Sequence, residues 1–139
     1  MQQITDILNE IEKRLNESKS LEVTYENNIP IVKDVKGIVK YKVTKSEVKG
    51  IRKRRGKVKE KTKKVLLQLS EKLVQNKITF KIIIWPKVVE LRFDLDRFIN
   101  IYDKEVKVAG FTSKEEEPLS YIYDILESYG KVVFLKPLK

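Results

Sequence analysis

Positive charge is concentrated in one stretch of the sequence. Residues 36–64 contain fourteen of the 30 basic residues and two of the 20 acidic residues, so this stretch has a net charge of +12. The other 110 residues together carry −2, so the overall charge of +10 comes from this stretch. Its cations are Lys36, Lys40, Lys42, Lys45, Lys49, Arg52, Lys53, Arg54, Arg55, Lys57, Lys59, Lys61, Lys63 and Lys64. Neighbouring like charges repel one another, and a polyanion such as DNA or RNA would offset that repulsion.

The four consecutive cations from Arg52 to Arg55 are best suited to bind phosphate. Guanidinium groups bind phosphate oxygens through two hydrogen bonds and also stack on bases. Gly50 and Gly56 flank this run, and we interpret residues 45–58 as a basic loop or ribbon. The predicted contacts to nucleic acid are Lys40, Lys42, Lys45, Lys49, Arg52, Lys53, Arg54, Arg55, Lys57, Lys59, Lys61 and Lys64. A solvated surface without a ligand is the alternative interpretation.

Aromatic side chains near these cations could act as stacking platforms for unpaired bases. Tyr41 lies within the basic stretch, and Trp85 ends a predicted strand beside Pro86, so both are candidate binding residues. Core packing is the alternative for each. Because no RNA-recognition, KH or zinc-finger motif is present, we predict contact with the phosphate backbone and no readout of a base sequence. Single strands are slightly favoured over duplex, and the sequence does not distinguish DNA from RNA.

A second interpretation is a Mg²⁺-dependent nuclease, which needs clustered carboxylates and a lysine. Glu105 and Lys107 are two residues apart on a predicted strand and therefore share one face. The carboxylates of Asp94, Asp96 and Asp103 precede them in the chain. Since charged residues make up 36% of the chain, such spacing arises easily by chance. We therefore predict a non-catalytic protein without a cofactor or a resident metal.

The absence of two residue types excludes several kinds of active site. The chain contains no Cys and no His. A thiol nucleophile, a Ser-His-Asp triad, a disulfide, a zinc site with His or Cys ligands and a haem ligated by these residues are therefore excluded.

Length and composition fit one domain over residues 1–139, because 139 residues with 41% hydrophobic content can form one core. The charge-rich, Cys-free composition is typical of hyperthermophile proteins. No signal peptide is visible at the N-terminus, and the apolar stretches are far shorter than the ~20 residues that span a bilayer. We therefore expect a cytoplasmic protein without a membrane partner.

Hydrophobic periodicity predicts about three helices and six or seven short strands. Helical spacing covers residues 3–18, 58–75 and 118–129. Alternation predicts strands that begin near residues 21, 29, 39, 78, 89, 106 and 131. A further strand is predicted near residue 98, although Asp94 to Tyr102 could instead form a helical turn. The strand from Ile78 to Ile84 is apolar on both faces toward its end, which makes it the best candidate for a central strand. Hairpin connections dominate, so we predict an α+β fold with a mostly antiparallel sheet.

A third interpretation is a structural or assembly protein of a nucleoprotein particle. Residues 90–129 carry ten acidic and five basic residues. This region could dock the basic stretch of a neighbouring copy, so a homo-oligomer is a further prediction.

Overall fold

The computed structural model describes residues 2–35 and 58–135. Within these ranges the chain forms three helices and seven strands, so the predicted α+β fold is confirmed. The predicted strand near residue 39 lies outside the described residues. The elements are α1 (Gln2–Asn16), β1 (Leu21–Glu26), β2 (Ile29–Asp34), α2 (Glu60–Gln75), β3 (Phe80–Ile84), β4 (Val89–Arg92), β5 (Phe98–Ile101), β6 (Glu105–Ala109), α3 (Leu119–Tyr129) and β7 (Lys131–Phe134).

The seven strands form one sheet in the order β2-β1-β3-β4-β5-β6-β7. Neighbouring strands are antiparallel except β6 and β7, which run parallel. A parallel pair needs a crossover connection, and α3 supplies it between β6 and β7. The sheet is therefore mostly antiparallel, as the hairpin-rich sequence predicts.

The three helices pack with one face of this sheet into a single apolar core. Ile82, Leu91 and Ile99 are lateral neighbours on β3, β4 and β5, and none has exposed surface. The helices contribute Ile11, Leu15, Leu66, Leu69, Ile122 and Leu126 to the same core. These residues recur at three- and four-residue spacing, which places them on one stripe of each helix. No helix in the described part of the chain is long and apolar enough to cross a bilayer.

The opposite face of the sheet carries the alternate residues of each strand. Ile83, Glu90, Asn100 and Lys107 form one lateral row across β3 to β6. Ile83 has no exposed surface, like Ile82 on the helix-covered face, so the prediction that β3 is apolar on both faces is confirmed. The strand lies inside the sheet, although β4 is the middle strand of the seven.

The hydroxyl of Tyr25 ties β1 to the segment that precedes β3. Its oxygen lies 2.8 Å from the carbonyl oxygen of Ile78, to which it donates a hydrogen bond. Burial raises the pKa of Tyr25 from 10.0 to about 12, because the phenolate form would lose its hydration. The folded protein thus holds the hydroxyl proton more tightly than the unfolded chain.

We expect this tyrosine to make folding stability fall at alkaline pH. Its contribution is fully present below pH 10 and is lost as the pH rises from 10 toward 12, because the unfolded chain releases the proton first. Between pH 9 and 11.5 the loss should be on the order of 1 kcal/mol, because Tyr25 is only partly buried and water screens part of the effect. Urea unfolding at these two pH values, compared with Tyr25→Phe, isolates this group from the other tyrosines and the lysines. An equal loss in both proteins would contradict the assignment.

Candidate nucleic-acid interface

A cleft of about 640 Å³ opens at one end of the sheet. Four parts of the chain meet there: the start of α2, the β3–β4 turn, the β5–β6 turn and the start of β7. We call it the lysine cleft. It is lined by Val58, Lys59, Thr62, Ile84, Trp85, Lys87, Val88, Val89, Ile101, Tyr102, Asp103, Lys104, Glu105 and Lys131.

The register of the strands places the end of β2 toward the end of the sheet that holds the lysine cleft. Leu21 on β1 pairs with Asp34 of β2 on one side and with Ile82 of β3 on the other, so β2 ends level with the middle of β3, with β1 between them. Val58, with which the described part of the basic stretch begins, lines the lysine cleft together with Ile84. The described residues on either side of residues 36–57 therefore lie toward the same end of the sheet.

Four lysines line the lysine cleft, and only two carboxylates accompany them. The cations are Lys59, Lys87, Lys104 and Lys131, and the acids are Asp103 and Glu105, so the lining has a net charge of +2. Each cation comes from a different part of the chain. Like charges brought together by folding raise the local positive potential, which attracts anions.

Asp103 in the β5–β6 turn accepts two hydrogen bonds from lysines at the start of α2. Its Oδ2 lies 2.7 Å from Lys59 Nζ, and its carbonyl oxygen lies 3.0 Å from Lys61 Nζ. The hydrogen bond from Lys59 keeps the pKa of the Asp103 carboxyl below its usual range, and the positive charge of Lys59 acts in the same direction. The lysine and the carboxylate are both largely exposed, at 65% and 57% for their side chains. Such pairs contribute little to stability, so a phosphate can compete with Asp103 for Lys59.

The side chain of Tyr129 in the neighbouring groove contacts two residues that line the lysine cleft, Thr62 and Tyr102. The hydroxyl of Tyr129 donates to the carbonyl oxygen of Tyr102 over 2.5 Å. The same hydroxyl lies 3.3 Å from Thr62 Oγ1 on α2. Lys61 Nζ lies 4.5 Å from the centre of the Tyr129 ring, in the range of a cation–π contact. The ends of α3, α2 and β5 are thus connected through one side chain.

The close packing of Gly130 against the β5–β6 turn sets the position of Lys131. A Cβ atom on Gly130 would lie 2.6 Å from the carbonyl oxygen of Lys104, which is too close for any residue with a side chain. The amide of Lys131 donates to that same carbonyl over 3.2 Å. Lys104 and Lys131 are therefore neighbours in space although 27 positions separate them in the sequence.

Trp85 is half-buried at the edge of the lysine cleft. Its indole Nε1 donates a 3.0 Å hydrogen bond to Glu90 Oε1, and its amide donates to the carbonyl of Val88. The structure thus brings the candidate residues Trp85 and Lys59 to one site. Its role as a stacking platform stays a prediction.

The other predicted binding residues fall into two groups. Lys61 and Lys64 line a neighbouring groove of about 430 Å³ between α2 and α3, together with Gln68 and Tyr129. The remaining candidates lie outside the described residues: Lys40, Tyr41, Lys42, Lys45, Lys49, Arg52, Lys53, Arg54, Arg55 and Lys57.

Sequence reasoning missed three cations of the lysine cleft: Lys87, Lys104 and Lys131. Each is a lone lysine next to a turn residue, in Pro86-Lys87, Asp103-Lys104 and Gly130-Lys131. Nothing in their local sequence separates them from other surface lysines. The three lysines share a position at the end of a strand. This position predicts that they lie close together only when the order of the strands in the sheet is known.

The carboxylates considered for a nuclease are divided between the two ends of β5. Asp94 and Asp96 lie in the β4–β5 turn, whereas Asp103 lies in the β5–β6 turn and Glu105 is the first residue of β6. Glu105 makes an ion pair with Lys107 over 3.8 Å. Among the described residues no group of three or more acidic side chains is placed to hold a metal ion.

Asp94 has a structural role in its turn. Its carboxylate accepts hydrogen bonds from the amides of Asp96 and Arg97 over 3.0 and 2.9 Å, and from Arg97 Nε over 2.8 Å. Partial burial acts to raise the pKa of Asp94, but the bonds from Arg97 and Asp96 outweigh it and leave the pKa below its usual value. These bonds account for the position of the carboxylate without a metal.

Comparison of the chain with protein-family models, with curated proteins and with solved structures found no match.

Proposed function

We propose that this protein binds nucleic acid without catalysing a reaction on it, through the phosphate backbone and with a slight preference for single strands. The observation that carries the proposal is the +12 charge of residues 36–64. The described part of this stretch begins at Val58 and contributes to the lining of the lysine cleft, which also contains lysines from other parts of the chain. DNA and RNA both present the required row of phosphates.

The charge of the described residues supports this proposal. Lys59 belongs to the basic stretch, whereas Lys87, Lys104 and Lys131 lie outside it, among the 110 residues that together carry −2. Folding adds these three lysines to the same end of the molecule. A phosphate chain that follows the basic stretch would meet them at its end.

The size of the lysine cleft supports the preference for single strands. Pockets of about 300–1,000 Å³ hold ligands of the size of a drug molecule, which is also the scale of one nucleotide. Trp85 and Tyr102 line the lysine cleft and offer aromatic surface near an unpaired base. We place this activity in the cytoplasm, and the charge-rich composition fits a hyperthermophilic source.

Fluorescence anisotropy tests the proposal with labelled single- and double-stranded DNA and RNA of equal length. If 5 to 8 cations contact phosphates, log K should fall with log salt at a slope of about −3.5 to −7. The order of the four affinities identifies the preferred nucleic acid. No binding at low salt to any of them would overturn the proposal.

The same samples, run on a denaturing gel with and without Mg²⁺, test the alternative of a nuclease. We expect intact oligonucleotide in both lanes. Mg²⁺-dependent shortening that Glu105→Gln abolishes would overturn the non-catalytic part of the proposal and leave binding in place.

A further inference from the structure

The lysine cleft has an excess of positive charge that its own carboxylates do not neutralise. Lys59 pairs with Asp103 over 2.7 Å, and Glu105 pairs with Lys107, which does not line the cleft, over 3.8 Å. Among the described residues, no carboxylate lies within ion-pair distance of Lys87, Lys104 or Lys131. Three exposed lysines thus line one cavity without an ion pair of their own, and the two carboxylates in the same lining, Asp103 and Glu105, offset only part of the positive charge.

Two of these cations are held together by the backbone. The amide of Lys131 donates to the carbonyl of Lys104, and the lack of a side chain at Gly130 permits that approach. The two ammonium groups therefore start from adjacent backbone positions. Both lysines are exposed and Glu105 pairs with Lys131 in the strand register, so repulsion between the two cations is small, and both can turn toward an anion that carries more than one negative charge.

The start of α2 also favours the binding of an anion in the lysine cleft. Lys59, at the N-cap of α2, makes no side-chain capping hydrogen bond. The positive end of the helix dipole disfavours Lys59 and Lys61, which lie at the N-cap and in the first turn, and favours an anion there; Glu60 in the same turn supplies one negative charge. The four lysines and the helix start thus favour the same kind of ligand.

The charge of the lining indicates which phosphate it suits. A phosphate inside a nucleic-acid strand is a diester with one negative charge, whereas a terminal phosphate is a monoester with about −1.5 to −2 at pH 7. The net charge of +2 in the lysine cleft matches the monoester. The end of a single strand also fits into a cavity of about 640 Å³, whereas the end of a duplex is too wide for it.

We propose that the lysine cleft binds the phosphate-bearing end of a single nucleic-acid strand, with the terminal phosphomonoester among Lys87, Lys104 and Lys131. This inference rests on the proposed function and names the part of the nucleic acid that the described site recognises. The basic stretch then contacts the phosphates that follow the terminal one.

The single tryptophan of the chain makes the inference testable at the site itself. Trp85 lines the lysine cleft, so its emission reports occupancy there. The probes are three oligonucleotides of one sequence: with a 5′ phosphate, with a 3′ phosphate and with neither. We expect one phosphorylated form to bind about tenfold more tightly than the unphosphorylated one and to change Trp85 emission at saturation. Anisotropy of an internal label, measured in parallel, reports total binding.

Charge-neutral variants test the assignment to these lysines. Lys104→Gln with Lys131→Gln should reduce the ratio of the affinities for the phosphorylated and the unphosphorylated strand from about tenfold to less than twofold, whatever the variant's affinity for the unphosphorylated strand. The matched control, Lys13→Gln with Lys72→Gln, removes two exposed lysines that do not line the cleft. This control should still bind the phosphorylated strand about tenfold more tightly than the unphosphorylated one.

The outcomes separate this inference from the proposed function. Equal affinity for all three oligonucleotides, or binding by anisotropy with unchanged Trp85 emission, overturns the inference and leaves the proposed function standing. Inorganic phosphate that binds as tightly as the phosphorylated strand also overturns it, because the site would then not recognise a strand end. No binding of any oligonucleotide overturns both.

Discussion

Replacing Arg52, Lys53, Arg54 and Arg55 together with alanine should weaken nucleic-acid binding more than tenfold. Each phosphate contact releases a counterion, so the loss should be largest at low salt, and the slope of log K against log salt should become less steep by about 2 to 4. Anisotropy across a salt series measures both quantities. The thermal midpoint should hardly change, because four consecutive cations between two glycines are too charged to be buried in a core.

A control with the same change of net charge separates a local effect from a general one. Lys13, Lys72, Lys77 and Lys114 are exposed lysines that lie outside the basic stretch and do not line the lysine cleft. Changing all four to alanine also removes four positive charges and should weaken binding less than threefold. Equal losses in the two variants would show that overall charge determines binding, and the assignment of a site to the basic stretch would be wrong.

Most secondary-structure elements could be predicted from the sequence, because each has its own short-range pattern. Helix α2 is an example: Val65, Leu66, Leu69 and Leu73 follow helical spacing, and all four are buried. Strand β6 is another, with Val106 and Val108 buried between half-buried neighbours. These patterns depend on residues within one or two turns or on one strand, so no knowledge of the sheet order is needed.

The lysine cleft could not be predicted, because its residues meet only through the order of the strands. Lys87 follows β3, Lys104 follows β5 and Lys131 begins β7, and no periodic pattern relates them. The distribution of charge along the sequence instead predicted Lys59 and Lys61 as binding residues, because many other cations lie next to them in the sequence. Of the three predicted lysines that the structure describes, Lys59 alone lines the lysine cleft.

The burial of Glu90 is a second feature that the sequence hides. In Val89-Glu90-Leu91 the glutamate alternates with apolar residues, which predicts an exposed side chain on a half-buried strand. In the structure Glu90 is 3% exposed. Its carboxylate accepts hydrogen bonds from Trp85 Nε1 and from Arg92 Nε, which satisfy a charge that would otherwise be costly to bury.

The change Glu90→Ala should lower the free energy of unfolding by about 3 kcal/mol, because removing one partner of a buried ion pair leaves the other charge without compensation. That other charge is Arg92, whose side chain is 19% exposed. Its guanidinium would keep hydrogen bonds only to the carbonyls of Asp94 and Leu95. Urea unfolding at pH 7 measures the loss. The exposed Glu127 on α3 is the matched control, and Glu127→Ala should change stability by less than about 0.5 kcal/mol.

Two further variants separate the charge of Glu90 from its packing. Glu90→Gln keeps the shape and an acceptor for Trp85, so it should cost less than the alanine variant. Combining Glu90→Met with Arg92→Met removes both charges and should recover part of the loss, because apolar residues often replace a buried pair at little cost. A loss below about 1 kcal/mol for Glu90→Ala would show that water reaches the carboxylate, since a hydrated pair contributes little.

Because Trp85 joins Glu90 to the lysine cleft, the alanine variant should also shift Trp85 emission in the absence of nucleic acid.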